Sequence, residues 1–449
     1  MPKKTIQLSD HFTYSRLLRF VLPCIGTMLF TSVYGIVDGL CVSNFVGKTA
    51  FAAVNLIMPL PMLLGTIGFM LGTGGSAIVG ITLGEGDQKK ADRYFTLFLL
   101  AALISVSVLA VLGIVFLRPI AVLLGAKGEL LDYAVRYGRI LMVSLPTFAL
   151  QNMFQSFFVT AEKPHLGFWF TVGAGCTNMV LDVLMVGIWG WGVEGAAIAT
   201  FISQLVGGVL PVFYFIDRSN SSRLHLCKTS FYSKVLRDAC INGSSELMTN
   251  LSMSLVNILY NYQLLRLAGE NGVAAYGVIM YAAFLFVAVF VGYAVGSAPI
   301  VSFHYGARNH AEVHNLYRKS LRLIAVVAVT LTLASMFIIP CVARIFVGYD
   351  AELLALTSRA FRLYALSFLI MGFNVYASSF FTALGDGVTS ALISFLRTLL
   401  FQLAALLLLP ALWGIDGVWL AVTAAELAAL AVSVYMFVTK DQKFHYRHV

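Results

Sequence analysis

The 449-residue chain is 59% hydrophobic and only 11% charged, with a formal net charge of +9 and a mean hydropathy of +0.86. A composition this apolar excludes a soluble globular fold and predicts a polytopic membrane protein. The basic residues are spread over short loops and do not form a basic domain interleaved with aromatic residues, which excludes a nucleic-acid-binding module.

Twelve apolar runs follow one another along the chain, each long enough to cross a membrane as a helix. The runs are continuous and do not alternate with polar residues, so they predict helices and exclude a closed β-barrel. The expected fold is therefore an all-α integral membrane protein with twelve transmembrane helices. The predicted spans are residues 15–43, 49–82, 93–117, 131–160, 166–189, 192–217, 238–266, 272–303, 318–342, 352–383, 387–411 and 416–438.

Lys and Arg collect in the segments on one side of these spans. That side holds 20 of the 30 basic residues, and the positive-inside rule makes it cytoplasmic, with both termini inside. We therefore expect a multi-pass protein of the cell (inner) membrane. The basic residues are Lys3, Lys4, Arg16, Arg19, Lys89, Lys90, Arg93, Lys163, Arg218, Arg223, Lys228, Lys234, Arg237, Arg308, Arg318, Lys319, Arg322, Lys440, Lys443 and Arg447.

The chain repeats itself at an offset of 222 residues without a gap. VGKTAFAAVNLIM (46–58) aligns with AGENGVAAYGVIM (268–280), and WGVEG (191–195) aligns with WGIDG (413–417). Six spans per copy is an even number, so the two six-helix halves are parallel and face each other across a central cavity. The predicted divisions are an N-terminal lobe (1–217), a cytoplasmic linker (218–237), a C-terminal lobe (238–439) and a cytoplasmic tail (440–449).

Three polar residues of the first half lie at one predicted depth in the membrane. Asp38 is nine residues inward from Gly47, which corresponds to about 13 Å of helix. Asp182 and Thr200 are each eight residues inward from the turn near Gly190. A charged carboxylate in the hydrocarbon core costs about 2.5 to 3.5 kcal/mol on insertion scales, so Asp38 and Asp182 need partners or a function.

Several segments of the first half resemble the multidrug and toxic compound extrusion (MATE) family. These are Asp38 followed by NFVGKTAFAAVN, then GTGGSAIVGITLGEGDQKKA, then TNMVLDVLMVGIWGWGVEGAAIAT. The resemblance extends over residues 10–440 and is that of a bacterial member. It implies a secondary active antiporter that exports organic cations and other amphipathic drugs, with antibiotic resistance as its consequence. The exchange ion is a proton or a sodium ion, and no other cofactor is implied.

The resemblance places the family's ion or proton site on Asp38, Asn178, Asp182 and Thr200, with Asn152 of the fourth span as a fifth member. Asn178 and Asp182 are four residues apart and share a helix face, and both offer oxygen ligands. Two carboxylates this close would repel each other when both are ionised. The alternative is that each acid only hydrogen-bonds a neighbouring helix and holds the bundle together.

The second half departs from the first, because Asp38 aligns with Tyr260 and Asp182 with Ala404. Its seventh span instead carries a polar stripe, which predicts a helix face turned to protein or water and supplies candidates for the substrate cavity. Arg397 and Glu426 are charges in neighbouring spans, and we interpret them as a structural ion pair, with substrate contact as the alternative for Arg397. The stripe consists of Glu246, Asn250, Ser254, Asn257 and Asn261.

Other chemistry finds little support in the sequence. The six cysteines are scattered without a CxxC motif, which argues against a disulfide framework or a metal site, and no Walker spacing points to ATP. Two competing functions stay open. A flippase for lipid-linked oligosaccharides should line its cavity with several Arg or Lys, and a membrane-embedded enzyme should cluster acids or His. We expect a monomer whose partners are small-molecule drugs and the lipid bilayer.

Overall fold

The computed structural model describes residues 6–45, 48–348 and 350–446, and these residues form helices joined by turns, with no β-strand among them. Lys3, Lys4 and Arg447 of the predicted basic side lie outside the described residues, as do the last residues of the predicted tail (447–449) and the side chain of Cys41.

The first half contains eight α-helices. Pro59 begins α3, and because proline lacks the N–H group that an interior helical residue donates, the predicted span 49–82 consists of two helices. π-helical segments extend α6 over Asp182–Ile188 and join α7 to α8 over Leu205–Val209. The helices are α1 (Tyr14–Phe45), α2 (Lys48–Ile57), α3 (Pro59–Gly84), α4 (Gln88–Leu123), α5 (Gly128–Thr160), α6 (Pro164–Leu181), α7 (Gly192–Gln204) and α8 (Leu210–Ile216).

The second half also contains eight α-helices. Helix α9 begins at Ser233, inside the predicted linker, and is broken at Gly269, whose φ of 61° and ψ of −148° suit glycine and separate two antiparallel spans. A π-helical segment, Leu396–Leu400, joins α13 to α14. The helices are α9 (Ser233–Gly306), α10 (His310–Val347), α11 (Ala351–Ala365), α12 (Phe368–Ala383), α13 (Gly387–Phe395), α14 (Phe401–Trp413), α15 (Ile415–Thr439) and α16 (Asp441–Phe444).

Within the described part, nine helices are long and apolar enough to cross a membrane, and a tenth crossing arises when α11 and α12, bent by 47°, count as one. Two more crossings complete the predicted twelve. Helix α9 contributes two because of the break at Gly269. Helix α5 spans 33 residues but is less apolar, since charged residues occupy its first turns and Gln151, Asn152 and Gln155 lie deeper in it.

The two ends of the bundle differ in what they carry. Both described chain ends lie at one end, here named the terminal end, where His314 Nδ1 is 2.8 Å from the Tyr446 carbonyl oxygen and the Leu8 N–H donates to Glu162 at 2.8 Å. The predicted linker lies there too, because the Gln88 side chain donates to the Arg223 carbonyl. The opposite end, with turns at Gly190, Gly269 and Gly414, is named the far end.

The lobes pack on each other mainly through α3 and α9 near the terminal end. Gly84 of α3 faces the backbone of Phe303 and Ala307, and Gly306 of α9 faces the backbone of Ile81. A Cβ atom at either glycine would collide with that backbone. Gly84 and Gly306 are equivalent under the 222-residue offset, as are Ile81 and Phe303. The contact is therefore made by equivalent surfaces of the two copies, as a two-fold relation between the lobes requires.

The segment before α1 adds a second connection between the lobes at the terminal end. Leu8 and Phe12 are fully buried. The Leu8 N–H donates to Glu162 of the first lobe, and the Phe12 N–H donates to Glu312 of the second lobe at 2.9 Å. His11 Nδ1 also lies 2.6 Å from the Glu312 carboxylate. The terminal end is thus closed by helix packing and by this segment.

Candidate functional site

The first lobe contains a pair of neighbouring carboxyl groups. Asp38 lies on α1 and Asp182 begins the π-helical segment, and their side chains are close enough to hydrogen-bond. Asp182 is fully buried, and neither of its oxygens nor Asp38 Oδ1 has a donor among the described residues. An ionised carboxylate only accepts hydrogen bonds, so the two groups can bond each other only when one of them carries a proton.

Two amide side chains of the same lobe are also buried without hydrogen-bond acceptors among the described residues. Asn178 is 2% exposed and Asn152 is 4% exposed, and the Nδ2 atom of each finds no acceptor in the described part of the chain. The Thr200 hydroxyl, in contrast, donates to the Ala196 carbonyl one turn earlier at 3.0 Å.

Buried donors and acceptors are nearly always paired in folded proteins. Asp38, Asp182 and Asn178 therefore form a group with unpaired polar atoms among the described residues. The predicted fifth member, Asn152, lies on α5 about 22 Å along the helix from Tyr137, which is near the carboxyl pair, so Asn152 is not placed beside it.

Two further residues of the first lobe were not predicted as site residues from the sequence. Tyr137 of α5 is 1% exposed and lies near both Asp38 and Asp182. Gln204 ends α7 next to the second π-helical segment, and its Oε1 also lacks a donor among described residues. A signal for Gln204 was available, because the 222-residue offset aligns it with the buried Glu426. No sequence signal marks Tyr137, whose position depends on how α5 packs.

The second lobe contains a charged cluster whose acid is paired. Arg397 Nε lies 3.4 Å from Glu426 Oε1, as expected for the predicted ion pair, and Glu426 is only 2% exposed. Asn374 Nδ2 donates to Glu426 Oε2 at 2.7 Å, and the Ser433 hydroxyl donates to Asn374 Oδ1 at 2.9 Å. The acid is therefore held by two side chains, as a buried charge requires.

Two neighbouring cavities flank Arg397 in the second lobe. The larger, of about 230 Å³, is lined among others by Asn257, Tyr260 and Glu426, and the smaller, of about 110 Å³, by Glu246. Arg397 lines both of them. The packed glycines at Gly84 and Gly306 lie closer to the terminal end than the larger cavity, so this cavity lies on the far side of the closed contact.

The predicted polar stripe only partly coincides with these cavities. Glu246 and Asn257 line them, whereas Asn250, Ser254 and Asn261 line neither one. Asn250 and Ser254 donate to carbonyls of their own helix. The row that faces the larger cavity is Thr249, Met253, Val256 and Tyr260. It precedes the polar row by one residue, which is a rotation of about 100° around the helix.

Comparison with known proteins assigns the family. The family model of MatE matches residues 23–184 and 247–406, one segment in each half. The chain belongs to the MatE family. Because the two matched segments repeat the family unit, they confirm the doubled architecture that the 222-residue offset predicts.

Relatives of this MatE protein share its full length. The chain is 21% identical over 435 residues to the multidrug export protein MepA of Staphylococcus saprophyticus, covering 96% of this chain and 94% of that protein. It is equally similar to MepA of Staphylococcus aureus, with 21% identity over 431 residues. Both relatives are transporters by name.

Solved structures share the fold. A MATE structure in complex with MaL6 superposes with a TM-score of 0.93 at 22% identity, covering 99% of both chains. An outward-facing multidrug resistance MATE transporter gives a TM-score of 0.92 at 23% identity, again covering 99% of both chains. A transporter from Pyrococcus furiosus, described as having a binding pocket of reverse polarity, gives 0.90 at 22% identity. The prediction of an all-α, two-lobed, multi-pass membrane protein is confirmed.

Proposed function

We propose that this MatE protein exports cationic or amphipathic drugs from the cell in exchange for protons or sodium ions. The protein sits in the cell membrane as a monomer, with the terminal end in the cytoplasm. Drug export is the activity for which its MepA relatives are named. The alternation of access between two packed lobes supplies the mechanism.

One observation of this chain carries the proposal: the unsatisfied cluster around Asp38 and Asp182. Asp182 is fully buried with both carboxylate oxygens unpaired among described residues, and Asn178, one turn earlier on the same helix, offers an unused donor. An acid that serves only to hold helices together would be expected to have its hydrogen bonds satisfied, as the Glu426 carboxylate does. An unsatisfied carboxyl pair instead suits a site that gains and loses a cation.

The proposed role of each residue follows from its chemistry. Asp38 and Asp182 share the exchanged cation, and a proton fits the pair because it converts one carboxylate into a donor for the other. When the cation leaves, the two carboxylates repel each other, and Asn178 Nδ2 on the same helix face can supply a donor. That rearrangement would couple the charge state of the pair to the packing of α1 against α6 and α7.

Everted membrane vesicles that contain the protein test this function. A fluorescent organic cation should accumulate in them when a pH gradient or a sodium gradient is applied, and each gradient applied alone identifies the exchange ion. Empty-vector vesicles are the control. No accumulation with either gradient would contradict the antiporter proposal, and movement of a lipid-linked oligosaccharide in its place would favour the flippase.

A further inference from the structure

The two terminal guanidinium nitrogens of Arg397 form an edge of hydrogen-bond donors that have no acceptor among the described residues. Its closest approach to Glu426 is through Nε, and no described residue accepts a hydrogen bond from its guanidinium group. Glu426 is turned toward Asn374, which donates to it through the side chain at 2.7 Å. An arginine side chain carries five N–H donors in a planar fork. A single contact at Nε leaves the two terminal nitrogens without a hydrogen-bond partner in the described part of the chain.

Arg397 lies in the wall of both cavities, and the smaller one is also lined by Glu246. The Arg397 side chain is 15% exposed although it lies in the lobe interior, and it lines the cavity of about 230 Å³. The space is comparable with that of a small aromatic ring system. A largely buried guanidinium group without acceptors is costly unless a ligand supplies them.

The remaining walls of the cavity suit an aromatic ligand. Tyr260 and Tyr276 stack with ring centroids 4.8 Å apart and planes 9° apart, and both line the cavity. The Tyr276 hydroxyl is fixed by Asn257 at 2.6 Å. Met253 and Met280 complete an adaptable apolar surface. Aromatic walls with a few charged groups, here Arg397 and Glu426, are the usual composition of a small-molecule site.

We infer that the larger cavity of the second lobe binds aromatic molecules that carry a carboxylate. The terminal nitrogens of Arg397 bind the carboxylate, and the tyrosine pair contacts the ring. Planar carboxylates match the guanidinium fork through two parallel hydrogen bonds. Glu426 lies 3.4 Å from Nε, which leaves the terminal nitrogens as the side of the fork that can take a ligand. The inference names a substrate class for the proposed exporter and rests on that function only for transport, since binding requires no gradient.

The test compares three probes of one ring size on the full-length protein in lipid nanodiscs: 1-naphthoate, its neutral methyl ester and 1-naphthylmethylammonium. Equilibrium dialysis, corrected with empty nanodiscs, gives the affinity for each. Wild-type protein should bind naphthoate more tightly than the other two. Tighter binding of the ammonium probe would overturn the inference, because the cavity would then select cations through its acids.

Variants identify the group responsible. Arg397→Lys keeps the charge but loses the fork and should weaken naphthoate binding by about tenfold, while ester binding stays unchanged. Glu426→Gln removes the competing anion and should strengthen naphthoate binding several-fold, which a purely structural ion pair does not predict. The exposed Arg266→Lys is the matched control and should leave all three affinities unchanged. Equal naphthoate binding in Arg397→Lys and wild type, or weakened binding in Glu426→Gln, would contradict the inference.

If Arg397→Lys proves unstable, the gain expected for Glu426→Gln still decides the matter, because misfolding does not increase affinity. The outcome is also separate from that of the export proposal. Vesicles that fail to accumulate a drug contradict export, whereas dialysis without any gradient measures the Arg397 site alone. Naphthoate binding with no transport would support this site and reject the antiporter.

Discussion

The two lobes place amide and acidic side chains at equivalent positions. They differ in whether these side chains have hydrogen-bond partners. In the second lobe Asn374 donates to Glu426. The 222-residue offset aligns these residues with Asn152 and Gln204 of the first lobe, where Asn152 Nδ2 and Gln204 Oε1 are both unpaired within the described structure. Replacing a charged acceptor by a neutral amide weakens the attraction that closes this contact.

The consequence is a division of roles between the lobes. The first lobe adds Asp38 and Asp182, which have no acidic counterpart in the second, and leaves Asp38 Oδ1 and both Asp182 oxygens without donors among the described residues. The second lobe adds Arg397, which aligns with Gly175, and so acquires a charge partner for its acid. Duplication thus produced one scaffold with two polar clusters. In the first lobe the acids lack donors, which suits exchange of a cation, and in the second lobe the acid is paired and lies beside a cavity.

The largest effect is expected from substitutions in the first-lobe carboxyl pair. Asp38→Asn and Asp182→Asn each keep the side-chain size but remove the exchangeable charge, so the folded protein should lose export of drug against a gradient. Vesicle uptake and drug resistance at matched expression measure this. Asp132→Asn, exposed on α5, is the control and should behave as wild type. Near-normal resistance with Asp38→Asn would restore the structural-glue interpretation.

The second prediction concerns the charged cluster of the second lobe. Arg397→Ala or Glu426→Ala leaves a buried charge without its partner, which costs about 3 to 5 kcal/mol when the partner is fully buried and less here, because Arg397 is 15% exposed. Each variant should therefore lower the midpoint of thermal unfolding in detergent. The double variant should lose less than the sum of the two. Strictly additive losses would show that the two side chains do not stabilise each other.

The third prediction uses the equivalent glycines at the lobe contact. Gly84→Ala and Gly306→Ala should each weaken the closed terminal end by about 1 to 3 kcal/mol, because the added methyl group meets backbone. Spin labels across the terminal end should report a wider distance in both variants. Gly277→Ala, which meets nothing within 4 Å, is the matched control. Opening in only one of the two variants would mean that the contact is not equivalent in the two lobes.

The smallest effect on activity is expected from labelling the connection between the lobes. Cys227 lies in the segment before α9 at the terminal end, which we propose to be cytoplasmic. An impermeant maleimide added to intact cells should leave it unmodified and transport unchanged. Glu352→Cys, exposed at the start of α11 near the far end, should be labelled under the same conditions. Rapid labelling of Cys227 from outside would reverse the orientation.

Much of the fold could be predicted from the sequence, because lipid imposes strong constraints. Apolar length and continuity located the helices, and the repeat located the two halves, since both depend on local composition. The break at Pro59 and the start of α9 at Ser233 were missed because they depend on short-range backbone geometry that average hydropathy does not detect. Arg397 and Glu426 were predicted as a pair because two opposite charges in neighbouring apolar spans have few other partners.

The sequence by itself determined which residues could carry charge through the membrane: Asp38, Asp182, Arg397 and Glu426 stand out because burying them in an apolar chain is costly. Only the tertiary structure decided which of them are satisfied. It also placed Tyr137 beside the carboxyl pair and turned Thr249 and Met253, in place of Asn250 and Ser254, toward the cavity. The physical reason is that the free-energy cost of burying a charge in an apolar span depends on residue type alone. Hydrogen bonding and cavity lining depend on how the helices are rotated against one another.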